Sequence, residues 1–270
     1  MNRTLPPLKL EKSPLVLALA QIRFSAVLKM EKFIPDLQEI LRHKGFPKFF
    51  ETQSQEFQQG PQKIELIPTP RWGFADKTLQ HVVLIAPNFI TLQTNNYDVF
   101  EKFVDTLQII FRAVNEVVAP ALVERIGLRY IDLIRPQAEE PLTKYLSEGL
   151  HGLHGLNAAK LEVQSLQHRF ETIGKTDNGI LVIRLSQNKE AKFLPPELDP
   201  VGLKFDLDIS RNELVTLLDI DHFSITQLDM DEQVVVDTMW NLHDHCDRVF
   251  REAVTPYALQ KWGSKDIPMS

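Results

Sequence analysis

The chain has 270 residues, 43% of them hydrophobic and 24% charged, which is typical of a globular protein and excludes a disordered or fibrous one. Thirty-six acidic against thirty basic residues give a net charge of −6, which disfavours nucleic acid as a partner because it opposes attraction to phosphate. A single cysteine excludes an intrachain disulfide and a cysteine-rich zinc site, and it agrees with a cytoplasmic location. No apolar run approaches the roughly 18 residues of a membrane span, so no membrane association is expected.

The first half of the sequence predicts a strand, a helix, an antiparallel meander and a second helix, in that order. Residues 14–28 resemble a strand, and residues 32–47 carry apolar side chains at helical spacing, with Pro35 in the first turn and Gly45 beyond the end. Short extended runs separated by turn residues fill 53–94. A long amphipathic helix follows up to about residue 118, with Asn95 or Asn96 as its N-cap.

The second half repeats this style after a strand at 125–135 and a mixed segment at 136–158. Extended runs flank the turn-rich KTDNG, further runs follow in LKFDLDIS and ELVTLLDID, and the last helix covers about 234–254. The sequence therefore predicts an α+β fold with two similar halves, each a mainly antiparallel sheet packed by a long helix. The predicted boundaries are 1–135 for the N-terminal half, 136–158 for the connection and 159–270 for the C-terminal half.

The strand RIGLRYIDLIR carries three arginines on one face, because Arg125, Arg129 and Arg135 all stand at odd positions. A buried arginine without a partner costs several kcal/mol, on the order of an unpaired buried charge, so this face must offer a carboxylate, water or a bound anion. One hypothesis is a partner-binding or anion-binding groove that contains Arg125, Arg129, Tyr130 and Arg135. The alternative is a structural ion pair between Arg129 and a carboxylate of a neighbouring strand.

Four aspartates alternate with apolar residues in FDLDISRNELVTLLDIDHF, at Asp206, Asp208, Asp219 and Asp221. If 204–209 and 214–221 pair as a hairpin, their carboxylates could hold Mg²⁺, as in a metal-dependent nuclease or phosphohydrolase. A solvated acid-rich face explains the same pattern, and the prediction favours it.

Other chemical motifs are incomplete. His243 and Asp247 stand at i and i+4 on the last helix, but no third metal ligand accompanies them, and Cys246 falls on the apolar stripe. The sequence contains neither a G-x-S-x-G elbow nor a glycine-rich phosphate loop. We therefore predict no catalytic residue and no cofactor.

The order of several short motifs resembles a family of proteins. These motifs are R-x-G-L-R-Y-I-D at 125–132, LDIDHF at 218–223, and W-x-L-H at 240–243 leading to F-x-x-A-V-T at 250–255. In this order they resemble a sporadically distributed family of uncharacterised bacterial proteins of similar size. Asp132 stands where asparagine is common in that family. The resemblance implies no catalytic residues, and the patchy distribution implies accessory genes, such as those of antiphage defence or toxin–antitoxin systems.

Together these observations predict a non-catalytic protein-binding or regulatory subunit, whose protein partner is encoded nearby. A metal-dependent nuclease or phosphohydrolase and an RNA-binding duplicated fold stay open as alternatives, and so does a homo-oligomer. An RNA-binding role would need a basic groove around the three arginines of the strand.

Overall fold

The computed structural model describes residues 8–59, 64–137, 140–152, 167–188, 194–195, 197–198, 200–207, 209 and 215–264. These residues form one nine-stranded sheet, four α-helices and two short 3-10 helices, Leu142–Lys144 and Glu148–Leu150. The fold is therefore α+β, as the sequence predicts. No helix among the described residues combines the length and the apolar composition that a membrane crossing requires.

All neighbouring strands of the sheet are antiparallel. The strands are β1 Leu15–Phe24, β2 Lys48–Gln59, β3 Ile64–Ala75, β4 His81–Ala86, β5 Phe89–Thr94, β6 Val123–Ile134, β7 His168–Thr176, β8 Gly179–Asn188 and β9 Val215–Leu228. Their order in the sheet is β2-β3-β4-β5-β1-β6-β9-β8-β7, which confirms the predicted meander. β1 and β6 are neighbours near the middle of the sheet, with β2–β5 on one side of this pair and β7–β9 on the other.

The helices are α1 Met30–His43, α2 Phe100–Val117, α3 Glu232–Ala253 and α4 Pro256–Lys261. The end of α1 is as predicted, since Gly45 follows it with a φ of +101° that only glycine adopts easily. Its start is earlier than predicted, so Pro35 lies inside the helix. At the start of α3, the Asp231 carboxylate accepts a hydrogen bond from the backbone N–H of Val234 at 3.0 Å.

The N-cap predicted for α2 is wrong. The residue at the cap is Val99, which makes no side-chain hydrogen bond to the helix. Asn95 instead donates to the carbonyl of Lys204 at 2.7 Å, and the N–H of Asn96 donates to Thr94 Oγ1 at 3.0 Å. Both asparagines are therefore used in the turn after β5, which moves the start of the helix further along the chain.

Helices α1, α2 and α3 cover one face of the sheet, which we call the helix face. The main core lies between them and includes fully buried residues from both sides of the predicted connection, such as Ile22, Leu37, Ile126 and Met239. The two predicted halves thus share one core. From Arg125 onward, the even-numbered residues of β6 point to the helix face and the odd-numbered residues point to the other face.

The second face of the sheet is covered in part by an irregular stretch, the described residues of 194–209, which we call the cover segment. Its apolar side chains pack on Leu17, Ile131 and Leu217 in a smaller cluster. The predicted hairpin between 204–209 and 214–221 is wrong, because 200–207 form no strand and β9 pairs with β6 and β8 instead. With both of its edges already paired, β9 cannot accept another strand, so the apolar residues of the cover segment pack on its face.

Candidate anion-binding site on the sheet

A cavity of about 190 Å³ lies between the second face of the sheet and the cover segment. Arginines from two strands line it, Arg71 from β3 and both Arg125 and Arg129 from β6, and we call it the arginine cavity. The other polar residues that line it are Gln21, Thr91, Gln93, Glu197 and Asp221. Because side chains alternate along β6, Arg125 and Arg129, each two residues from Gly127, point into the same space.

Arg129 is held by two carboxylates. Its Nε donates to Asp219 Oδ1 at 2.8 Å and its Nη2 to Asp219 Oδ2 at 2.6 Å, a bidentate pair in which both residues are over 90% buried. Nη2 also donates to Glu197 Oε1 at 2.6 Å. Burial by itself lowers the pKa of Arg129, but the hydrogen bonds and charge of Asp219 outweigh it and raise the pKa above its ordinary value. The structural ion pair that the sequence offered as an alternative is therefore present.

Arg125 is held differently, by neutral groups. Its Nη1 donates to Gln21 Oε1 at 3.2 Å, and its guanidinium lies 4.2 Å from the ring centroid of Phe223. Among the described residues it makes no ion pair, and burial lowers its pKa despite the nearby charge of Asp221. Arg125 is thus a half-buried cation that retains donor capacity toward the cavity.

Asp221 is the acidic group whose charge acts on Arg125, and burial raises the pKa of Asp221, with the charges of Arg129 and Arg125 opposing the shift. Asp219 and Glu197 bind Arg129, whereas Arg125 has only the longer-range charge of Asp221 opposite it, so room for a further negative group is left beside Arg125. Such a site attracts an anion.

Gly127 keeps the space between the two β6 arginines open. A Cβ atom at this position would lie 3.0 Å from Arg125 Nη1. Glycine inside a strand weakens the strand, and it often marks a place where another group must approach closely. Here that group is the arginine side chain itself, which lies across the strand and into the cavity.

The other two predicted members of the groove lie elsewhere. Tyr130 is on the helix face, where its hydroxyl shares a hydrogen bond with His243 Nδ1 at 3.0 Å, so it cannot meet an anion beside Arg125. Arg135 is exposed just beyond the end of β6. The strand period that places Arg125 and Arg129 together also excludes Tyr130 from their face.

The four aspartates of the metal hypothesis do not form one cluster among the described residues. Asp219 and Asp221 share a face of β9, but Asp219 is bound by Arg129 and also by Arg184, whose Nη1 lies 3.4 Å from Oδ2. Asp206 is exposed in the cover segment, and Asp208 lies outside the described residues. No group of three or more potential metal ligands occurs in the part of the chain that the structure describes.

His243 and Asp247, which the sequence analysis weighed as two metal ligands, lie on α3 and have other partners. His243 stacks on Phe100 with ring centroids 4.0 Å apart, and Asp247 accepts from Arg251 Nε at 3.0 Å. Cys246 is fully buried, as its place on the apolar stripe predicts.

Sequence reasoning missed several members of the arginine cavity, notably Arg71, Gln21 and Glu197. Arg71 reaches the cavity from β3 because the meander brings this strand within reach of β1, a contact that no local pattern encodes. Gln21 interrupts the apolar run of β1, and this polar position opposite Gly127 is the one signal in the sequence that could have indicated it.

Comparisons with known proteins add no family to this description. No protein-family model matches the sequence, and no curated protein gives a significant match to it.

Proposed function

We propose that the chain is a non-catalytic binding protein or regulatory subunit, which recognises an acidic group of a protein partner in the arginine cavity. The observation that carries this proposal is Arg125, a half-buried cation without an ion pair among the described residues, at the edge of a cavity rich in arginine. Guanidinium groups bind carboxylate in a directional way, and burial strengthens the attraction.

Glu197 supports the choice of a carboxylate as the recognised group. Its side chain is 57% exposed, yet it is bound to Arg129 at 2.6 Å from the cover segment. A loop carboxylate that reaches the cavity from the solvent side is therefore accommodated next to Arg129, in the same cavity as Arg125. An acidic side chain of a partner would use the same approach.

We also infer that the sheet consists of two related halves. In each half a run of antiparallel strands leads into a long helix, β5 into α2 and β9 into α3. The arginine cavity takes residues from β1, β3, β5 and β6 of the N-terminal half and from β9 of the C-terminal half. Recognition would thus take place at the junction of the halves.

The biological setting of this proposal rests on the resemblance and, for the location in the cell, on the single cysteine. It comprises a cytoplasmic location, a partner encoded by a neighbouring gene, and a role in an antiphage defence or toxin–antitoxin system. A homo-oligomer, in which a second copy of the chain supplies the acidic group, is another form of the same recognition.

Arg125→Gln should reduce the amount of protein partner that co-purifies by about tenfold, the effect of losing one charge-assisted contact of about 1.4 kcal/mol. The experiment is affinity purification of the tagged full chain from its native host with neighbouring genes intact, followed by mass spectrometry of protein and nucleic acid. Because Arg125 makes only neutral contacts, we expect the free energy of unfolding to change by at most about 1 kcal/mol.

Arg42→Gln is the matched control, since Arg42 is a half-exposed arginine of α1 on the helix face, paired with Glu39. It should leave the partner bound. A partner that is captured equally by wild type and Arg125→Gln contradicts recognition at this cavity. Stoichiometric RNA with a steep dependence on salt would replace the proposal with the RNA-binding alternative.

A further inference from the structure

A second cavity, of about 160 Å³, lies on the helix face, between the start of α2, the middle of α3 and the chain that precedes β1. Much of its wall is apolar, and the residues concerned are Leu10, Leu15, Tyr97, Phe100, Ile220 and Phe250. A cavity of roughly 150 Å³ is large enough to hold a benzene ring. We call this space the acidic pocket, for reasons that follow from its charges.

Asp132 of β6 lines the acidic pocket from the sheet side. Asp132 is 3% exposed, and its carboxyl group has no hydrogen bond or ion pair with any described residue. Burial raises the pKa of this carboxyl to about 8, and the charge of Asp219 adds to the shift. A buried carboxyl group without a partner is costly to the fold, so its presence at a cavity wall indicates a group that is satisfied by a ligand.

The charges around the pocket are unbalanced. Its lining holds five carboxyl groups and one amino group, namely Asp98, Glu101, Asp132, Asp244 and Asp247 against Lys9. Asp98 is paired with Lys9 at 2.9 Å and with Lys102 at 2.6 Å, and Asp247 is paired with Arg251 at 3.0 Å. These pairs offset Asp98 and Asp247, so the attraction of the pocket for a cation rests mainly on Asp132.

Aromatic groups fix the shape of the pocket beside Asp132. The hydroxyls of Tyr97 and Tyr130 are 3.5 Å apart, and Tyr130 is bonded to His243, whose ring stacks on Phe100. This chain of contacts joins β6, α2 and α3 into one rigid wall. Aromatic faces also attract cations, so the wall and the carboxyl group favour the same kind of ligand.

We propose that the acidic pocket binds a small organic cation, an alkylammonium group joined to an aromatic or compact apolar body, with the ammonium group on Asp132. The apolar body fills the space between Tyr97, Phe100 and Phe250. The ammonium group donates to the carboxylate, which becomes ionised when it gains this partner. This site is separate from the arginine cavity, so either proposal can fail without the other.

The test uses 2-phenylethylamine as the probe, with 2-phenylethanol and 3-phenylpropionate as uncharged and anionic analogues of similar size. Binding to the full chain is measured by calorimetric titration near the pKa of Asp132, about 8. We expect the amine to bind at least about tenfold more tightly than either analogue, because it alone makes a charge-assisted hydrogen bond. Asp132→Asn should remove that preference while the protein stays folded.

Asp206→Asn serves as the control, since it removes an exposed carboxyl of the cover segment, and it should bind the amine as wild type does. Equal affinity for the amine and the alcohol would overturn the proposal, and so would undiminished amine binding by Asp132→Asn. Absence of amine binding to wild type would overturn it as well.

Discussion

Arg129→Met is expected to lower the free energy of unfolding by about 3–5 kcal/mol, the cost of removing one member of a buried ion pair. The substitution keeps a long side chain but leaves the carboxylate of Asp219, only 3% exposed, without its bidentate partner. Arg184 at 3.4 Å can relieve part of this loss, which places the expected value toward the lower end of the range. Urea denaturation followed by circular dichroism measures the change.

The double variant Arg129→Met/Asp219→Leu separates the loss of a pair from the exposure of a lone charge. Because both charges are then absent, its stability should return to within about 1 kcal/mol of wild type or exceed it. Arg42→Met removes an exposed arginine and should change stability by less than about 0.5 kcal/mol. If Arg129→Met were as stable as Arg42→Met, the pair with Asp219 would contribute nothing to the fold.

Asp132→Asn is expected to stabilise the ligand-free protein, by an amount that grows as the pH rises. The pKa of Asp132 is about 8 in the folded protein against an ordinary value of 3.8, chiefly because burial disfavours the charged form. Between these values the unfolded chain loses the proton while the folded chain keeps it, so wild-type stability falls with rising pH. Asparagine does not titrate, and it removes this loss.

The expected size follows from the conversion of one pKa unit into about 1.4 kcal/mol, so the gain between pH 5 and pH 8 should be on the order of 2–4 kcal/mol. Thermal midpoints of both proteins at a series of pH values measure it. Below the ordinary pKa of 3.8 both states are protonated, and the two proteins should differ least there. A constant difference at every pH would mean that Asp132 is ionised in the folded protein. Asp206→Asn, at an exposed position, should show no comparable trend.

The two substitutions are expected to change the free energy of unfolding in opposite directions, although Arg129 and Asp132 lie on the same strand. Arg129 has a partner in the chain, and its removal destabilises. Asp132 has none among the described residues, and its neutralisation stabilises. Residues that lower stability in this way are commonly retained for binding.

The class of fold and most helices and strands could be predicted from the sequence, because they depend on local periodicity. The alternation in RIGLRYIDLIR placed Arg125 and Arg129 on one face, and the apolar stripe placed Cys246 in the core. The turn residues between 53 and 94 indicated a meander, which the sheet contains. Each of these inferences depends only on residues that are close to one another in the sequence.

What could not be predicted depends on contacts between distant residues. Asp219 is 90 positions from Arg129, and only the pairing of β6 with β9 brings them together. The segment around Asp206 has the alternation of a strand, but both edges of β9 are occupied, so it packs on the sheet instead. Likewise, the acidic pocket arises from three separate parts of the chain, and no single stretch of sequence indicates it.

The alternation of β6 has a consequence for insertions and deletions. Within four consecutive residues the strand presents Arg129 to the arginine cavity and Asp132 to the acidic pocket, on opposite faces of the sheet. A shift of one position would exchange the faces, moving the guanidinium toward the helices and the carboxyl toward the arginines. A gain or loss of one residue here would therefore disrupt two sites of opposite charge at once.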